Sequence, residues 1–539
     1  MRRAVRATGF KTAAWSEALI AVLLGLAAST AVMLFAPPAQ DLAAHVYRAN
    51  LVDQGVFLWD NYWYAGDYPL ATYSLLAPIA TAVVGVAPLL IVCTGAAAGL
   101  FSLIVMREWG PDAAWPSRAF ACAAALPLLP GLDAYVVGVP LLLGSLAFAQ
   151  SGRRFAAIVC ATLTLAASPL AFVFLLGAAI SIALAGRCSR RTGIVLGSAL
   201  LALGAAEVVL ARVAFQTTGV YPFLSWNLLA VVGLASSGAL LAYRSRRMRP
   251  IAWLLAGWGG ISIVSFLIAN PVGDNLARLR YAVFPLLLLV ALQDKRRRLA
   301  LCLAASALVY ACVPDLVQVS AQADARSARA AYWAGAVRFL HAHLRPGQRV
   351  EVVATSARWE AYFLPTSGIP LARGWFRQTD LGSNRVLYGH TLSGFAYRRW
   401  LDERAVSYVL LTRGPLDDHG AASEARLLRL GRSGLLSVWH AGGLTIYAVP
   451  GPTPLVSGPS RAIVTAFTHT QISGIAEHAG LNLLRVRYSP YWKISGAAAC
   501  VTRGPRGMSL LRLRRSGSFA LRVVTDPLAI ILRAGDADC

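Results

Sequence analysis

The sequence predicts a polytopic α-helical membrane protein that ends in an α/β domain followed by a β-sandwich. The 539 residues are 57% hydrophobic and have a mean hydropathy of +0.58, which is too apolar for a water-soluble protein of this size. Long apolar runs stop at about residue 314, and polar, strand-like segments follow. Clusters of arginine separate the apolar runs, as the positive-inside rule expects.

The positive charge of the chain fits a membrane protein better than a nucleic-acid-binding protein. A formal net charge of +25 would by itself suggest a nucleic-acid partner. Much of this charge in the first 300 residues, however, lies in short clusters between apolar runs. We therefore assign the clusters to cytoplasmic loops of a multi-pass protein of the cell membrane, and we expect no nucleic-acid partner. They comprise Arg153 and Arg154, Arg187 with Arg190 and Arg191, 244–249 and 295–298.

The apolar runs predict about eleven transmembrane helices in a domain that covers residues 1–314. The first run follows a basic N-terminus, which is thereby placed inside the cell. A cleaved signal peptide is the alternative, but the run is long and many spans follow it. With the charge clusters in the cytoplasm, the expected spans are 18–37, 71–106, 118–132, 134–150, 155–167, 169–186, 192–213, 224–243, 251–269, 280–293 and 299–314.

The soluble C-terminal part is predicted to lie outside the cytoplasm. In residues 315–450, helical and strand-like segments alternate, which indicates an α/β domain. Residues 451–539 contain short alternating strands at spacings of roughly ten residues, which is typical of a β-sandwich. Cys500 and Cys539 are the two cysteines of this part and can form one disulfide. The strand-like segments are 461–469, 481–489, 509–515, 519–525 and 528–534.

The segment 41–78 is richer in ionisable and aromatic side chains than any other part of the first 313 residues. Acidic groups at a membrane surface are costly unless they coordinate, catalyse or bind something, so this segment is the candidate active site. The alternative is a solvated loop with a belt of interfacial aromatics. Its ionisable and aromatic residues include Asp41, His45, Asp53, Asp60, Asp67, Trp59, Tyr62, Trp63, Tyr64, Tyr68 and Tyr73.

Within this segment, Asp41 is the first candidate for a catalytic residue. It directly follows the first span, where a carboxylate can meet a lipid headgroup. His45 is four residues further on, so on a helix the two side chains share a face. They can hold a divalent cation together or act as a base with its orienting partner. Asp60 and Asp67 are secondary candidates for orientation or metal binding, and the metal ligands are otherwise unknown.

The loop 270–280 is a second candidate site, on the same predicted side of the membrane. It contains Asn275, Arg278 and Arg280 at the mouths of two spans. Arginine there can bind phosphate oxygens in a bidentate manner. The alternative is a tight helical hairpin whose arginines extend to the lipid headgroups.

Charged and aromatic residues also alternate in the soluble domain. Trp359 precedes Glu360, and Arg373 lies two residues before Trp375. Flat aromatic faces beside charged groups can stack on sugar rings and bind their hydroxyls. Buried aromatics with neighbouring surface arginines are the alternative interpretation.

Taken together, these features resemble the GT-C integral-membrane glycosyltransferases. The resemblance rests on a single N-terminal span, a first outer loop that opens with Asp41, the following WYAGDYPLATYSLLAP at 63–78, many further spans and an outer C-terminal domain. Within that superfamily the chain looks most similar to large actinobacterial membrane proteins described as related to 6-pyruvoyl-tetrahydropterin synthase.

The resemblance implies transfer of a sugar from a polyprenyl-phosphate donor to an envelope glycan, lipid or protein at the outer face of the membrane. Asp41 would be the base toward the acceptor hydroxyl, and Arg278 and Arg280 would neutralise the departing phosphate. Asp41 and at least one arginine should then lie within about 10 to 15 Å, the span of a sugar phosphate. Alternative functions are a transporter or flippase of a lipid-linked envelope precursor, and a membrane-anchored glycan-binding module.

Overall fold

The structure is a computed structural model that describes residues 2–70, 73–209, 215, 219–293, 297–323, 325–389, 391–417 and 420–523, with side chains from residue 13. The chain divides into two compact units. The helical unit consists of Met1–His45, Tyr73–Leu210 and Val220–Ala323. The C-terminal unit consists of Asp324–Cys539 together with two segments from earlier in the chain, Val46–Thr72 and Ala211–Gly219.

Apolar helices form most of the helical unit. Among the described residues, eight helices are long and apolar enough to cross a membrane, and two shorter apolar helices, Arg154–Ala167 and Pro169–Leu184, accompany them. A helix lies in each of the eleven predicted spans, which confirms a polytopic α-helical protein. The helices are α1 (Arg2–Phe35), α2 (Leu42–Asp53), α3 (Leu76–Val84), α4 (Val86–Trp109), α5 (Ala114–Ala123), α6 (Asp133–Gln150), α7 (Arg154–Ala167), α8 (Pro169–Leu184), α9 (Arg190–Val209), α10 (Ser225–Tyr243), α11 (Arg249–Leu267), α12 (Arg280–Gln293) and α13 (Arg297–Gln322).

Small residues allow α1 and α4 to pack closely. A Cβ atom at Gly95 would lie 2.7 Å from the side chain of Leu26, and one at Gly99 would lie 2.7 Å from Val22. In lipid there is no hydrophobic gain from helix association, so close backbone approach supplies the van der Waals contact that holds helices together. Glycine at these two positions therefore determines how closely the first span packs.

The first half of the C-terminal unit is an α/β fold, as predicted. Its sheet has the order β1-β2-β4-β3; β1 and β2 are parallel, and β4 pairs antiparallel with both β2 and β3. Its apolar core contains helix residues, among them Tyr397 and Trp400, and strand residues, among them Val409. The elements are α14 (Ala330–His343), β1 (Arg349–Val352), α15 (Glu360–Thr366), α16 (Arg377–Ser383), α17 (Gly394–Glu403), β2 (Val406–Thr412), α18 (Ala421–Arg429), β3 (Leu436–Ala441) and β4 (Leu444–Ala448).

The second half of the C-terminal unit has two four-stranded sheets, in the orders β10-β11-β8-β5 and β6-β7-β12-β9. Alternate side chains from both sheets form one core that includes Leu484, Leu511 and Phe519, so the predicted β-sandwich is confirmed. The predicted strand 528–534 lies outside the described residues. The strands are β5 (Val456–Ser457), β6 (Ile463–Phe467), β7 (Gln471–Ala476), β8 (Gly480–Arg487), β9 (Trp492–Gly496), β10 (Cys500–Arg503), β11 (Met508–Leu513) and β12 (Gly517–Val523).

The segment Val46–Thr72 is built into the C-terminal unit, although it precedes most of the helical unit in the chain. The indole Nε1 of Trp63 donates to the carbonyl of Ala361 at 3.1 Å. Trp59 and Tyr62 belong to the core of the β-sandwich. The polar part of the first loop is therefore a structural component of this unit.

The observed boundaries differ from the expected domains 1–314, 315–450 and 451–539, and one difference is that Ala211–Gly219 belongs to the C-terminal unit. The helical unit extends to Ala323 because α13 continues to Gln322. The first-loop segment belongs to the C-terminal unit, which no local pattern in the sequence indicated. Cys500 is disulfide-bonded, and Cys539, its predicted partner, lies outside the described residues.

We expect Gly374→Ala to destabilise the C-terminal unit. A Cβ atom at this position would lie 2.7 Å from ring atoms of both Trp63 and Tyr64. Overpacking of this kind costs about 1–3 kcal/mol. Thermal unfolding in detergent should show a lowered Tm for this variant, whereas Gly382→Ala, where a Cβ meets nothing within 4 Å, should leave the Tm unchanged. Equal Tm values for the two variants would contradict the close packing of the first-loop segment.

Candidate active site

Asp41 lies at the start of α2 in the helical unit. Its backbone N–H donates to the carbonyl of Pro130 at 3.0 Å, and its own carbonyl accepts from Ala44 at 3.2 Å, within the first turn of the helix. Hydrogen bonds of both its N–H and its carbonyl group therefore fix the backbone of Asp41 in position. Its carboxylate remains 17% exposed, so it can reach a ligand.

A rigid turn positions Arg278. The side-chain oxygen of Asn270 accepts hydrogen bonds from the N–H groups of Val272 at 2.9 Å and Gly273 at 2.8 Å. Gly273 has φ +49°, and a Cβ there would lie 1.8 Å from the carbonyl oxygen of Tyr221, so only glycine fits. The turn leads into a short 3₁₀ helix, Gly273–Leu279, that carries Arg278.

The structure brings Asp41 and Arg278 together. Their side chains form an ion pair with an N···O distance of 3.5 Å, and both are 17% exposed. Arg278 also donates to the hydroxyl of Tyr73 at 3.5 Å. The ring of His45, which is buried, lies 5.7 Å from the ring of Tyr73. The expected proximity of Asp41 and an arginine is therefore confirmed, while the roles of these residues remain predictions.

Arg280 is engaged differently from Arg278. It donates to Asp315 at 2.7 Å and to the hydroxyl of Tyr281 at 2.9 Å, and that hydroxyl in turn donates to the second oxygen of Asp315 at 2.9 Å. Arg280 thus forms a short ion pair with the buried carboxylate of Asp315, whereas the ion pair of Arg278 with Asp41 is longer and partly exposed. Asn275 is half-buried in the same 3₁₀ helix as Arg278.

Asp133 is a candidate that the sequence analysis missed. It begins α6, is 1% exposed, and neither of its carboxylate oxygens accepts a hydrogen bond from another residue. Asp41 lies within electrostatic range of it. A Cβ at Gly131 would lie 2.6 Å from the backbone nitrogen of Leu42, so the turn before Asp133 packs directly against the start of α2. The sequence does contain a signal for this residue, because Asp133 is a lone carboxylate between two predicted spans, on the predicted outer side of the membrane.

Asp41 and Asp133 are two carboxylates without a close third ligand. Among the described residues there is no group of three or more histidine, cysteine, aspartate or glutamate side chains that could hold a metal ion. Two carboxylates can still provide part of the oxygen coordination that a hard divalent cation prefers, with water and substrate phosphate supplying the rest. The possible divalent cation therefore remains a prediction.

Asp60, also in the first loop, has a different environment. It belongs to the C-terminal unit, is 1% exposed, and accepts hydrogen bonds from the hydroxyl of Tyr47 at 2.6 Å, the N–H of Tyr62 at 3.0 Å and the ring of His469 at 2.8 Å. A buried carboxylate with three partners stabilises the fold and has little capacity left for a substrate. These contacts favour a structural role for Asp60.

Asp67 and Tyr64 are likewise inside the C-terminal unit. Asp67 exchanges two backbone hydrogen bonds with Asp60, at 2.9 and 3.0 Å. Burial raises the pKa of the Asp67 carboxyl, and the positive charges of Arg48 and Arg487 partly offset this effect. The hydroxyl of Tyr64 donates to the carbonyl of Phe376 at 2.8 Å, and its side chain is buried.

The charged residues predicted to bind sugar in the soluble domain have internal partners. The two oxygens of Glu360 accept from the N–H of Thr355 at 3.0 Å and from its hydroxyl at 2.6 Å. Burial raises the pKa of this carboxyl, and the bonds from Thr355 oppose the shift. Arg373 forms ion pairs with Glu351 and with Glu424. Neither side chain is available to a ligand without losing these bonds.

The two tryptophans of the same group differ in exposure. Trp359 is 8% exposed and packs beside Phe363, with the ring centroids 5.5 Å apart. Trp375 is half-buried, and the guanidinium of Arg358 lies 5.5 Å from its ring centroid. Trp375 therefore keeps part of its aromatic surface for contact with a ligand, and the assignment of these residues to substrate binding remains a prediction.

Comparisons with known proteins give weak similarity to solved structures. No family model matches the sequence, and no curated protein matches it. Among solved structures, the chain is similar to ArnT from Cupriavidus metallidurans, whose crystal structure contains bound undecaprenyl phosphate. The similarity covers 83% of this chain and 98% of that chain, with 13% sequence identity and a TM-score of 0.38. This level is too low to assign a fold or a function, and nothing found supports the narrower resemblance to proteins related to 6-pyruvoyl-tetrahydropterin synthase.

We expect Asp60→Ala to destabilise the C-terminal unit, because it would leave three donors from Tyr47, Tyr62 and His469 without their acceptor. The loss of such a buried network costs about 2–4 kcal/mol. Thermal unfolding in detergent should therefore show a clear fall in Tm for this variant. Asp53→Ala, at an exposed position of the same segment, is the matched control and should unfold at the wild-type temperature. An unchanged Tm for Asp60→Ala would show that the carboxylate is not a structural residue.

Proposed function

We propose that the protein is an inverting membrane glycosyltransferase that uses a polyprenyl-phosphate sugar as donor. The observation that carries the proposal is the ion pair between Asp41 and Arg278, 3.5 Å apart and partly exposed. Sugar transfer from a phosphate donor needs a base for the acceptor and a cation for the leaving group, held within one substrate length of each other. These two side chains meet that requirement, from loops more than two hundred residues apart in the sequence.

In the proposed reaction, the acceptor hydroxyl attacks the anomeric carbon of the donor sugar. The new C–O bond forms as the bond from that carbon to the phosphate oxygen breaks, and the polyprenyl phosphate leaves with the electron pair. Asp41 takes the proton of the acceptor hydroxyl. Arg278 stabilises the charge that develops on the departing phosphate.

The pairing of Asp41 with Arg278 suggests an order of events. A carboxylate that is paired with arginine is stabilised in its charged form and is a weak base. When the donor binds, Arg278 can transfer its hydrogen bonds to the phosphate, since a guanidinium binds phosphate oxygens in a bidentate manner. Asp41 is then released to face the acceptor. Donor binding would thereby prepare the base.

Arg280 is proposed to act as a positioning residue. Its bonds to Asp315 and Tyr281 fix the start of α12, directly after the 3₁₀ helix that carries Arg278. It lies within electrostatic range of Arg278 and adds to the positive potential at the phosphate. Arg280 would therefore stabilise the departing phosphate through its charge while its ion pair with Asp315 stays intact.

A divalent cation would be held by Asp41 and Asp133. The fit rests on the two buried oxygens of Asp133, which accept no hydrogen bond from another residue. An uncompensated buried carboxylate is costly, and cation binding is one way to offset that cost. When bound, the cation would neutralise charge on the donor phosphate.

The acceptor is proposed to be an envelope glycan, lipid or protein on the outer face of the membrane, with the C-terminal unit extracytoplasmic. The support is the distribution of basic clusters in the sequence, which predicts that the loops of Asp41 and Arg278 lie on the opposite side of the membrane from the arginines assigned to the cytoplasm. Membrane lipid surrounds the helical unit, and the isoprenoid chain of the donor would lie in it.

We expect Asp41→Asn to slow sugar transfer strongly while the protein folds normally. Loss of a general base reduces the rate by about 10² to 10⁴. The measurement is transfer of radiolabel from a panel of undecaprenyl-phosphate sugars to acceptors in a membrane extract, with reconstituted full-length protein. Asp53→Asn, the control from the same segment, should keep full activity. Wild-type activity of Asp41→Asn would remove this residue from the mechanism, and movement of the labelled lipid across vesicles without any covalent product would favour a flippase.

Arg278→Gln and Arg280→Gln should differ in a diagnostic way. Loss of Arg278 removes the partner of the leaving phosphate, so we expect a fall in kcat of about 10² to 10³ with normal thermal stability. Loss of Arg280 leaves Asp315 without its charged partner, so the Tm should fall together with activity. A double variant Arg280→Gln with Asp315→Asn should recover stability. Equal kinetic and thermal effects of the two single substitutions would contradict separate roles.

A further inference from the structure

A large cavity in the C-terminal unit is lined by none of the residues assigned to the reaction above. This cavity of about 1040 Å³ opens between the α/β half and the β-sandwich half of this unit. Seven arginines and two carboxylates line it, together with the aromatic side chains of Trp59, Tyr68 and Tyr488. A volume of this size holds several sugar rings.

The two carboxylates of the cavity are already paired. Asp402 binds Arg398 at 3.1 Å, and Glu403 binds Arg399 at 3.1 Å and also contacts Arg506. Both acidic side chains therefore neutralise arginines that line the same cavity. The other arginines of the lining are not paired with these two carboxylates.

Three of those remaining arginines make hydrogen bonds to uncharged groups. Arg404 donates to the carbonyl of Ser383 at 2.6 Å, and its Nε is buried with no partner. Arg485 donates to the carbonyl of Pro454 at 2.9 Å. Arg487 donates to the hydroxyl of Ser383, and Asp67 lies within its electrostatic range. The wall of the cavity thus has more positive charge than its carboxylates neutralise.

A further arginine lies behind this wall. Arg349 is 0% exposed, donates to the carbonyls of Arg404 at 3.0 Å and Arg485 at 2.9 Å, and has two other nitrogens with no partner. Burial, with the charges of Arg404 and Arg485, lowers its pKa to about 9. Burial beside Arg487 lowers the pKa of Arg404 to about 10. Each guanidinium is still charged at neutral pH, so their mutual repulsion persists in the free protein.

The mouth of the cavity adds flat apolar surface to this charge. The guanidinium of Arg503 lies 5.5 Å from the ring centroid of Tyr488, and Phe395 is 81% exposed. Arginines beside aromatic faces suit a ligand that has both anionic groups and sugar rings, because the rings stack and the guanidinium groups bind oxyanions.

We propose that this cavity binds an anionic saccharide, whose carboxylate or phosphate groups meet Arg404, Arg487 and Arg503 and whose rings pack on Tyr488. The ligand would neutralise charge that the protein leaves uncompensated. The proposal goes beyond the transfer reaction and does not depend on it. Carboxylate and phosphate share the required chemistry, and binding experiments distinguish them.

The test is calorimetric titration of the purified full-length protein with three probes of equal length. They are tri-galacturonic acid, phosphorylated maltotriose and neutral maltotriose. We expect one or both acidic probes to bind, with an affinity that falls as salt is added, and the neutral probe to bind at least tenfold more weakly. Tight binding of the carboxylate probe alone would identify a uronic acid ligand, and of the phosphorylated probe alone a sugar phosphate. Equal binding of all three, or of none, would overturn the proposal.

Substitutions that are expected to change the binding affinity in opposite directions distinguish the loss of a ligand contact from damage to the fold. Arg503→Gln and Arg487→Gln should weaken binding of the acidic probe by about tenfold each. Glu403→Gln should strengthen it, since this removes a negative charge and releases Arg399 and Arg506 for the ligand. Arg429→Gln, an exposed arginine that does not line the cavity, is the matched control and should bind as the wild type does. Because a disrupted fold cannot bind more tightly, weaker binding by Glu403→Gln, or unchanged binding by both arginine variants, would contradict an anion site.

Discussion

The first-loop segment Val46–Thr72 is the constraint on which the C-terminal unit depends. Asp60 joins this segment to the β-sandwich, because it accepts hydrogen bonds from Tyr47 and Tyr62 of the segment itself and from His469 of the loop between β6 and β7. Trp59 and Tyr62 complete the core of the β-sandwich. Without these aromatics the two sheets would lack part of the apolar surface that holds them together. An early part of the chain therefore supplies part of the core of this unit.

The same dependence explains why carboxylates in one loop have different roles. Asp60 and Asp67 are buried among hydrogen-bond donors and cations, where a carboxylate is satisfied and inaccessible. Asp41 is held through its backbone and leaves its side chain partly exposed beside Arg278. Composition makes all of them candidates. Only their surroundings distinguish a residue that stabilises a fold from one that can take a proton.

Arginine has two further uses in this protein. Arg373 is surrounded by Glu351, Glu424 and Asp380, so its charge is compensated within the α/β core. Burial and the carboxylate of Glu424 raise the pKa of Tyr397, whose hydroxyl donates to that carboxylate at 2.6 Å. Arg349 and Arg404, in contrast, lie beside other arginines. A compensated cluster fixes the structure, whereas an uncompensated one favours a ligand of opposite charge.

The sequence by itself determined the architecture. Spans of apolar residues must be helical because lipid offers the backbone no hydrogen-bond partners, and alternating strands after residue 450 have one buried face, so both patterns are visible locally. It also indicated Asp41 and Arg278, since each stands beside an apolar run. Their 3.5 Å separation, the burial of Asp133 and the engagement of Glu360 and Arg373 by internal partners were decided by tertiary structure. These contacts join residues far apart in the chain, and the energy of a buried charge depends on neighbours that no local pattern specifies.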